Sequence, residues 1–426
     1  MQAPVIKLEA ELARRRGTKL SGGLRAAELA AETRAAKQSV SELQAYLDQR
    51  TDVQPRRAAC PKCRKPVGVR ARNRCRDVRT TAGEVRLLRN YHFCAPCTFG
   101  FYPLDDELGL VEGSDLSPVM EARVLDFAID EPFARSARRW KKHHAGTISE
   151  NLARGAIERA GHALASKTPS ERAACLKEGE ALATARDVVV IETDGSMLST
   201  RESGWKEAKL AVVFRPPADA KKRRARATYV GSMRGIDDFR EQLRAHVQHE
   251  LRTPHGPVVW VGDGAAWNWS LASELCPDAT QILDWYHAVS HAHDVTNVLF
   301  GEADITGKLF LKRIKDLLAR GDIFRLQNEL FECQCAQSGA AMLALENLRS
   351  YYRTNANRMQ YARFRALGFP IGSGAIESAH RHVLQTRMKL AGQHWSLSKA
   401  HRLVMLRAAY KSANDNEFLE LVNLAA

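Results

Sequence analysis

Hydrophobic and polar positions change period several times along the chain, and each change predicts an element. Over residues 1–50, Val40, Leu43 and Leu47 recur at helical spacing, and the Gly22-Gly23 pair separates an earlier helix from a later one. This predicts a helical arm over 1–55, suited to oligomer contacts or to DNA, with TDVQPRRA (51–58) as linker. Val85, Leu87 and the Tyr91/Phe93 pair alternate as short strands do. Residues 115–165 predict two or three helices, one beginning at Glu131-Pro132-Phe133 and another capped at Thr147-Ile148-Ser149-Glu150.

From residue 186 the pattern shifts to continuous apolar runs, as in strands buried on both faces. Val188–Ile191 is the first and ends at Glu192-Thr193-Asp194-Gly195-Ser196. Ala208–Phe214 and Ala227–Val230 follow, then a helix from Ile236 to Leu251 with Phe239, Leu243 and Val247 on one face. Val258–Val261 ends at Gly262-Asp263-Gly264-Ala265, a helix runs from Trp267 to Leu275, and Gln281–Leu283 ends at Asp284-Trp285-Tyr286-His287. The order β-β-β-α-β-α-β is that of an RNase H-like sheet, in which the first and fourth strands are neighbours. Residues 288–367 then read as helices, with Phe310, Ile314, Leu317 and Leu318 on one face, followed by Leu326, Leu330, Leu343, Leu345 and Leu348.

Composition narrows the class. The chain has 426 residues, 45% hydrophobic and 27% charged, which excludes disordered and fibrous classes. Its net charge of +15 points to a polyanionic partner, nucleic acid first. The charge is uneven. Residues 56–100 carry +10 of it, residues 101–134 reverse the sign, and RSARRWKK (135–142) and Lys221-Lys222-Arg223-Arg224-Ala225-Arg226 are basic again. Such blocks beside folded segments suit a phosphate-binding track. No run of 18 apolar residues exists, and the N-terminus has no secretory pattern. The expectation is a cytoplasmic, nucleoid-associated protein without membrane contact.

Nine cysteines in a reducing compartment suggest metal rather than disulfides. Cys60-Pro61-Lys62-Cys63 and Cys94-Ala95-Pro96-Cys97 form two CxxC knuckles about 30 residues apart, a pattern that suits a structural Zn²⁺ with four thiolates. Arg64 and Thr98 stand after the knuckles where Gly is usual, and Cys75 is a spare thiol.

The acids carry the candidate chemistry. Asp194 and Asp263 are expected at the C-terminal ends of adjacent strands, each followed by Gly for a sharp turn. Close carboxylates repel unless a cation joins them, and Mg²⁺ (or Mn²⁺) prefers such oxygens. Two such ions can clamp an in-line phosphoryl displacement. Glu377, in IGSGAIES, opens a late helix and is the third candidate. Arg381, Arg387 and Lys389 follow on that helix as phosphate contacts, and Arg138, Arg139, Lys141 and Lys142 do the same on the RSARRWKK helix, which fits a helix-turn-helix-like DNA reader. His287 and His291 have a metal-ligand spacing, but no Glu completes an HExxH pattern.

ETDGSML, VGDGAAWNWS, DWYHA and GSGAIESAHRHVLQTRMKLAGQHWS resemble motifs of DDE transposases of bacterial insertion sequences, the ISKra4 family. CPKC…CAPC followed by FGFYPLDDELGL is similar to their N-terminal half. The resemblance implies Asp194, Asp263 and Glu377 as the catalytic triad. It implies Asp284 and His287 as a DxxH element, with His287 contacting scissile phosphate or orienting Asp284. It also implies an all-helical insertion between the second Asp and the Glu.

The resulting expectation is an α/β chain: a helical arm (1–55), a zinc ribbon (56–110), a helical DNA-binding segment (111–182), an RNase H-like core (183–290 and 368–426) and a helical insertion (291–367). Its function would be a DNA transposase acting on terminal inverted repeats and target duplex as a homodimer or higher oligomer. The alternatives are a domesticated zinc-ribbon DNA binder without catalysis, and a different RNase H-like phosphodiesterase.

Overall fold

The computed structural model describes residues 23–144, 146–176, 186–216 and 227–424. The helix expected before Gly22-Gly23 and the basic run 221–226 lie outside these residues. The fold is mixed α/β with two sheets. It divides into two compact units: residues up to Val124 with Ala134–Leu152, and Leu125–Phe133 with Ala153 onward.

The first unit is built on a four-stranded antiparallel sheet in sequence order, β1 (Arg57–Ala59), β2 (Pro66–Arg79), β3 (Glu84–Cys94) and β4 (Phe99–Phe101). Val85 and Leu87 are buried while Glu84 and Arg86 are exposed, the alternation expected of a sheet with one wet face. Helix α1 (Leu24–Asp52) has no buried residue. It is held instead by amide pairing. Gln44 donates to Arg86 O and accepts from Arg86 N, both at 2.8 Å. Just past the helix, Gln54 accepts from Asn90 N at 2.7 Å and donates to Leu88 O at 3.0 Å. The two glutamines fill the part of β3 that the short β4 leaves without a strand partner, so the edge is not open to another chain.

The charge reversal in the sequence has a local cause. Asp105, in α2 (Pro103–Glu107), pairs with Arg76 at 2.8 Å and also with Arg89. Arg79 pairs with Asp115 and Arg86 with Asp77. The acids of 101–115 therefore neutralise part of the ribbon, and Arg70, Arg72 and Arg74 are left on its exposed positions.

Three helices follow: α3 (Pro118–Asp130), α4 (Phe133–His143) and α5 (Glu150–Ser166). Ser149 caps the last by accepting from Leu152 N. Helix α6 (Pro169–Cys175) begins with a capping box formed by Thr168 and Glu171.

The second unit is centred on a five-stranded sheet of β5 (Val189–Thr200), β6 (Gly204–Phe214), β7 (Ala227–Ser232), β8 (Val258–Gly262) and β9 (Thr280–Leu283). The order is β7-β6-β5-β8-β9. The first three strands are antiparallel, while β5, β8 and β9 are parallel. Val189–Ile191, Val259–Val261 and Ile282–Leu283 have no appreciable exposure, as the continuous apolar runs require. The helices between strands are α7 (Ile236–Glu250) and α8 (Ala266–Leu275).

One boundary differs from the sequence expectation. β5 does not stop at Asp194; it continues to Thr200 and pairs with β6 down to Gly204. Gly195 is therefore not a turn. It is a close-approach position, because a Cβ there would collide with the Glu207 side chain across the hairpin.

After β9 come α9 (Trp285–Phe300), α10 (Ile305–Arg320), α11 (Ile323–Cys335), α12 (Gly339–Thr354) and α13 (Tyr361–Ala366). The chain returns through α14 (Gly374–Ala379), a π-helical stretch (His380–Gln385) and a short turn (Thr386–Met388). Helices α15 (Leu397–Ser412) and α16 (Asp415–Leu421) close the chain, and α15 packs on β7, where Val404 meets Gly231.

Candidate metal centres

The first centre lies on two knuckles, the β1–β2 turn with Cys60 and Cys63 and the β3–β4 turn with Cys94 and Cys97. The four sulfurs all lie within 4.8 Å of one another. Cys63 Sγ and Cys94 Sγ are 3.7 Å apart. A tetrahedron with Zn–S bonds of about 2.3 Å has edges of about 3.8 Å, so the cluster fits a four-thiolate zinc ion. Backbone N–H groups of Cys63 and Lys62 draw the Cys60 thiol down to about 7, the Cys63 contribution being the larger. Contact with Cys63 and burial push Cys97 up to about 12. A metal would therefore find one ligand near its thiolate form and displace a proton from another.

Backbone conformation explains the missing glycines. Arg64 and Thr98 have φ of 60° and 48°, the left-handed region that glycine normally supplies after a knuckle. The turn is kept and the side chains are tolerated in it.

The second centre is built on the parallel strand ends. In register, Thr193 stands opposite Gly262, and Gly262 opposite Leu283. Asp194, Asp263 and Asp284 therefore follow in one row across β5, β8 and β9. Strands in such a row are about 4.8 Å apart. Gly264, at φ +99°, turns the chain out of β8, and a Cβ there would meet Tyr351. Tyr351 in turn donates to Asp263 O at 3.0 Å.

Asp194 is half-buried. Its Oδ1 accepts from Gly195 N at 2.7 Å, and its Oδ2 lies 3.1 Å from His380 Nε2. Asp263 Oδ1 accepts from Ala265 N at 3.0 Å and from Asn268 Nδ2 at 2.8 Å. Asn268 is fully buried in the first turn of α8 and also donates to Thr193 O at 3.3 Å, so one amide braces both acidic strand ends. Glu377 is exposed, and its carboxylate makes no hydrogen bond or ion pair with the described residues. The helix that carries it is pinned at its start. Ile376 N donates to the buried Glu192 at 2.8 Å, and Ser373 N donates to Asp284 at 2.9 Å.

Asp194, Asp263 and Glu377 are not gathered as the cysteines are. Among the described residues, the group of metal-ligating side chains within 4.8 Å of one another is the cysteine cluster. Unneutralised carboxylates repel, and here Asp194 and Asp263 are each turned to a neighbour, His380 and Asn268.

Asp284, the acid of the expected DxxH element, ends the row at β9. It is buried and caps α9, accepting from Tyr286 N and His287 N as well as Ser373 N. Its oxygens are taken up by backbone donors, so it acts as a clamp. His287 is half-buried beside His291, ring centroids 4.9 Å apart, and His291 lies 4.4 Å from the Tyr351 ring. Burial lowers the His291 pKa.

The expected DNA contacts divide. Arg138, Arg139, Lys141 and Lys142 lie on α4, whose Trp140 is buried, and all four are exposed. Lys389 is exposed while donating to Ser196 Oγ at 2.6 Å, and Arg381 is exposed. Arg387 is a correction: it is 1% exposed and cannot reach a phosphate. It stacks on Phe133 and Trp395 at 4.8 and 5.3 Å and donates to Ala128 O. Burial, then the neighbouring Arg407, pulls its pKa down to about 10. Asn268, His380, Glu192 and Tyr351 join the site without standing out in the sequence. Only the short spacing of Asn268 from Asp263 in GDGAAWNWS flags one of them.

Residues 62–423 match the Uncharacterised protein family (UPF0236). The chain belongs to this family. The match takes in Cys63, Cys94 and Cys97 but begins after Cys60, and it includes every acid of the second centre. No match is found among curated proteins. No helix among the described residues is long and apolar enough to cross a membrane.

Proposed function

We propose that this UPF0236 member is a DNA transposase with an RNase H-like core, in which Asp194, Asp263 and Glu377 serve metal-dependent strand cleavage and strand transfer. The observation that carries the reading is the register row. Asp194 and Asp263 leave adjacent parallel strands side by side, and the start of the Glu377 helix is hydrogen-bonded to Glu192 beneath that row. The order of the five strands, with three antiparallel and two crossover-linked parallel ones, supports the RNase H-like assignment.

Each residue has a part. Asp194 and Asp263 offer hard oxygens, Asn268 holds the two strand ends in register, and Glu377 is free to swing to them from the first turn of its helix. Bound divalent ions would activate water and neutralise charge on the phosphate oxygens. The exposed Arg381 and Lys389 on the same stretch of chain meet the DNA backbone. The exposed basic face of α4 and the outward arginines of the ribbon carry terminal-repeat binding, and a zinc ion in the four cysteines holds the ribbon together. The reaction is hydrolysis of a phosphodiester at the transposon end, which frees a 3′-hydroxyl that then attacks a target phosphodiester. Two ends must be joined, so the working form holds at least two copies.

Labelled DNA carrying the inverted repeats that flank the gene tests this. Wild type with Mg²⁺ or Mn²⁺ is expected to nick the repeat end and join it to a second duplex. Asp194→Asn is expected to lose at least ~100-fold in cleavage, on the scale of losing a group that stabilises transition-state charge, with repeat binding unchanged. An active Asp194→Asn protein would sink the assignment. A second reading, a DNA binder that does not cut, is favoured by one observation: the three carboxylates do not converge. It predicts tight, salt-sensitive repeat binding with no metal-dependent product.

A further inference from the structure

We propose that His380 is a metal ligand beside Asp194, so that the ion of the acidic centre has a mixed nitrogen and oxygen shell. This rests on the reading above and deepens it: the site takes a first-row transition ion of the Mn²⁺ type in preference to Mg²⁺. His380 is 5% exposed. Neither ring nitrogen makes an aligned hydrogen bond, which is a costly state for a buried polar ring. Yet Nε2 stands 3.1 Å from Asp194 Oδ2.

A hydrogen-bonded pair at that distance would aim the N–H at the oxygen. A pair of neighbouring ligands would not. Both lone pairs would point to a third place, and two ligands about 2.1 Å from an octahedral ion and at right angles to each other are about 3.0 Å apart. The observed separation and misalignment match that second arrangement. The other oxygen of Asp194 is already fixed by Gly195 N, which leaves Oδ2 for the ion. His380 opens the π-helical stretch that follows the Glu377 helix, an irregularity that commonly marks a working position. Imidazole nitrogen is a poor partner for Mg²⁺ and a good one for transition ions.

Mn²⁺ alone is the probe, added to the full chain with its ribbon zinc in place. Pulsed electron paramagnetic resonance should show nitrogen coupling to bound Mn²⁺. The coupling should disappear in His380→Ala and in His380→Gln, with Mn²⁺ affinity at least tenfold weaker and Mg²⁺ affinity changed less than twofold. Asp263→Asn should weaken both ions. Unchanged melting of either His380 variant guards against a folding artefact. Nitrogen coupling that persists in both variants, or bound Mn²⁺ without it in wild type, overturns the proposal while leaving DNA cleavage to be judged on its own. Absence of any Mn²⁺ binding overturns both. Nitrogen-coupled Mn²⁺ in a protein that never cleaves DNA keeps the His380 assignment and removes the transposase reading.

Discussion

The cysteine cluster and the acidic row are both candidate metal centres, yet one is assembled without an ion and the other is not. The thiols sit on two tight turns joined by a hairpin, so their positions are fixed by local backbone. Protonated thiols do not repel, and their sulfurs can rest at ligand distances. The carboxylates come from segments up to 183 residues apart, from Asp194 to Glu377. Close carboxylates repel when no cation joins them, and each of these faces a donor or solvent instead. A preassembled centre supports the fold, whereas one that closed only when loaded would stay open until its ligands arrived.

That difference can be broken most forcefully by removing metal. A chelator, or Cys60→Ser, should strip one zinc per chain. Amide protection across β1–β4 should collapse, because structural zinc is worth roughly 10 kcal/mol, while β5, β8 and β9 keep theirs. Hydrogen exchange read by mass spectrometry checks both halves at once, and protection of the ribbon that survives chelation would end the structural role.

Acid tests the packing around β7 in the second unit. His246 and His401 are pulled down to about 4, in each case chiefly by burial. Met233 N donates to His401 Nδ1 at 3.2 Å, which requires the unprotonated nitrogen. The free imidazole value is near ~6.5, so between that pH and about 4 the unfolded chain binds more protons than the folded one. The stability is full above the upper limit and lost as pH falls to the lower one, at up to ~1.4 kcal/mol per pH unit per histidine. Urea melts at stepped pH should show this slope around β7, α7 and α15. His246→Gln should flatten it, and an unchanged slope in that variant would refute the assignment.

Asn268→Ala should be a milder blow, about 1–3 kcal/mol, since it leaves buried partners at Thr193 and Asp263 without their donor. Cleavage should fall with it, while the ribbon stays intact. Thermal melting alongside the cleavage assay reads the two effects, and a variant as stable and active as wild type would remove Asn268 from the site. The smallest change is a gain. Thr98→Gly should stabilise the zinc-loaded ribbon by up to ~1 kcal/mol by relieving the left-handed turn, measured as the zinc-bound melting shift. No gain would mean that Thr98 has a compensating contact.

Local pattern carries much of the fold. The apolar runs at Val188, Val258 and Gln281 mark the three parallel strands because burial on both faces leaves little choice of residue. The CxxC spacing marks the cysteine cluster because knuckle geometry is local. The true length of β5 is hidden, since Thr193-Asp194-Gly195-Ser196 has the composition of a turn; its strand character comes from pairing with β6, which no local window contains. Arg387 reads as a phosphate contact because a lone guanidinium next to Lys389 looks solvent-bound. Its burial depends on Phe133 and Ala128, some 250 residues away. What His380 and Asn268 do is hidden for the same reason: it lies in what they face.

The clamp made by Asp284 has one more consequence. Trp285 N donates to Ile371 O at 2.9 Å, and Ser373 N returns to Asp284 at the same distance. The helices from α9 to α13 thus leave and rejoin the sheet at almost one point, like a bag closed by a drawstring. Their outer turns can lengthen, shorten or change sequence across relatives while the stem stays put, so evolution can rework what this lobe touches without retuning the carboxylates at its neck.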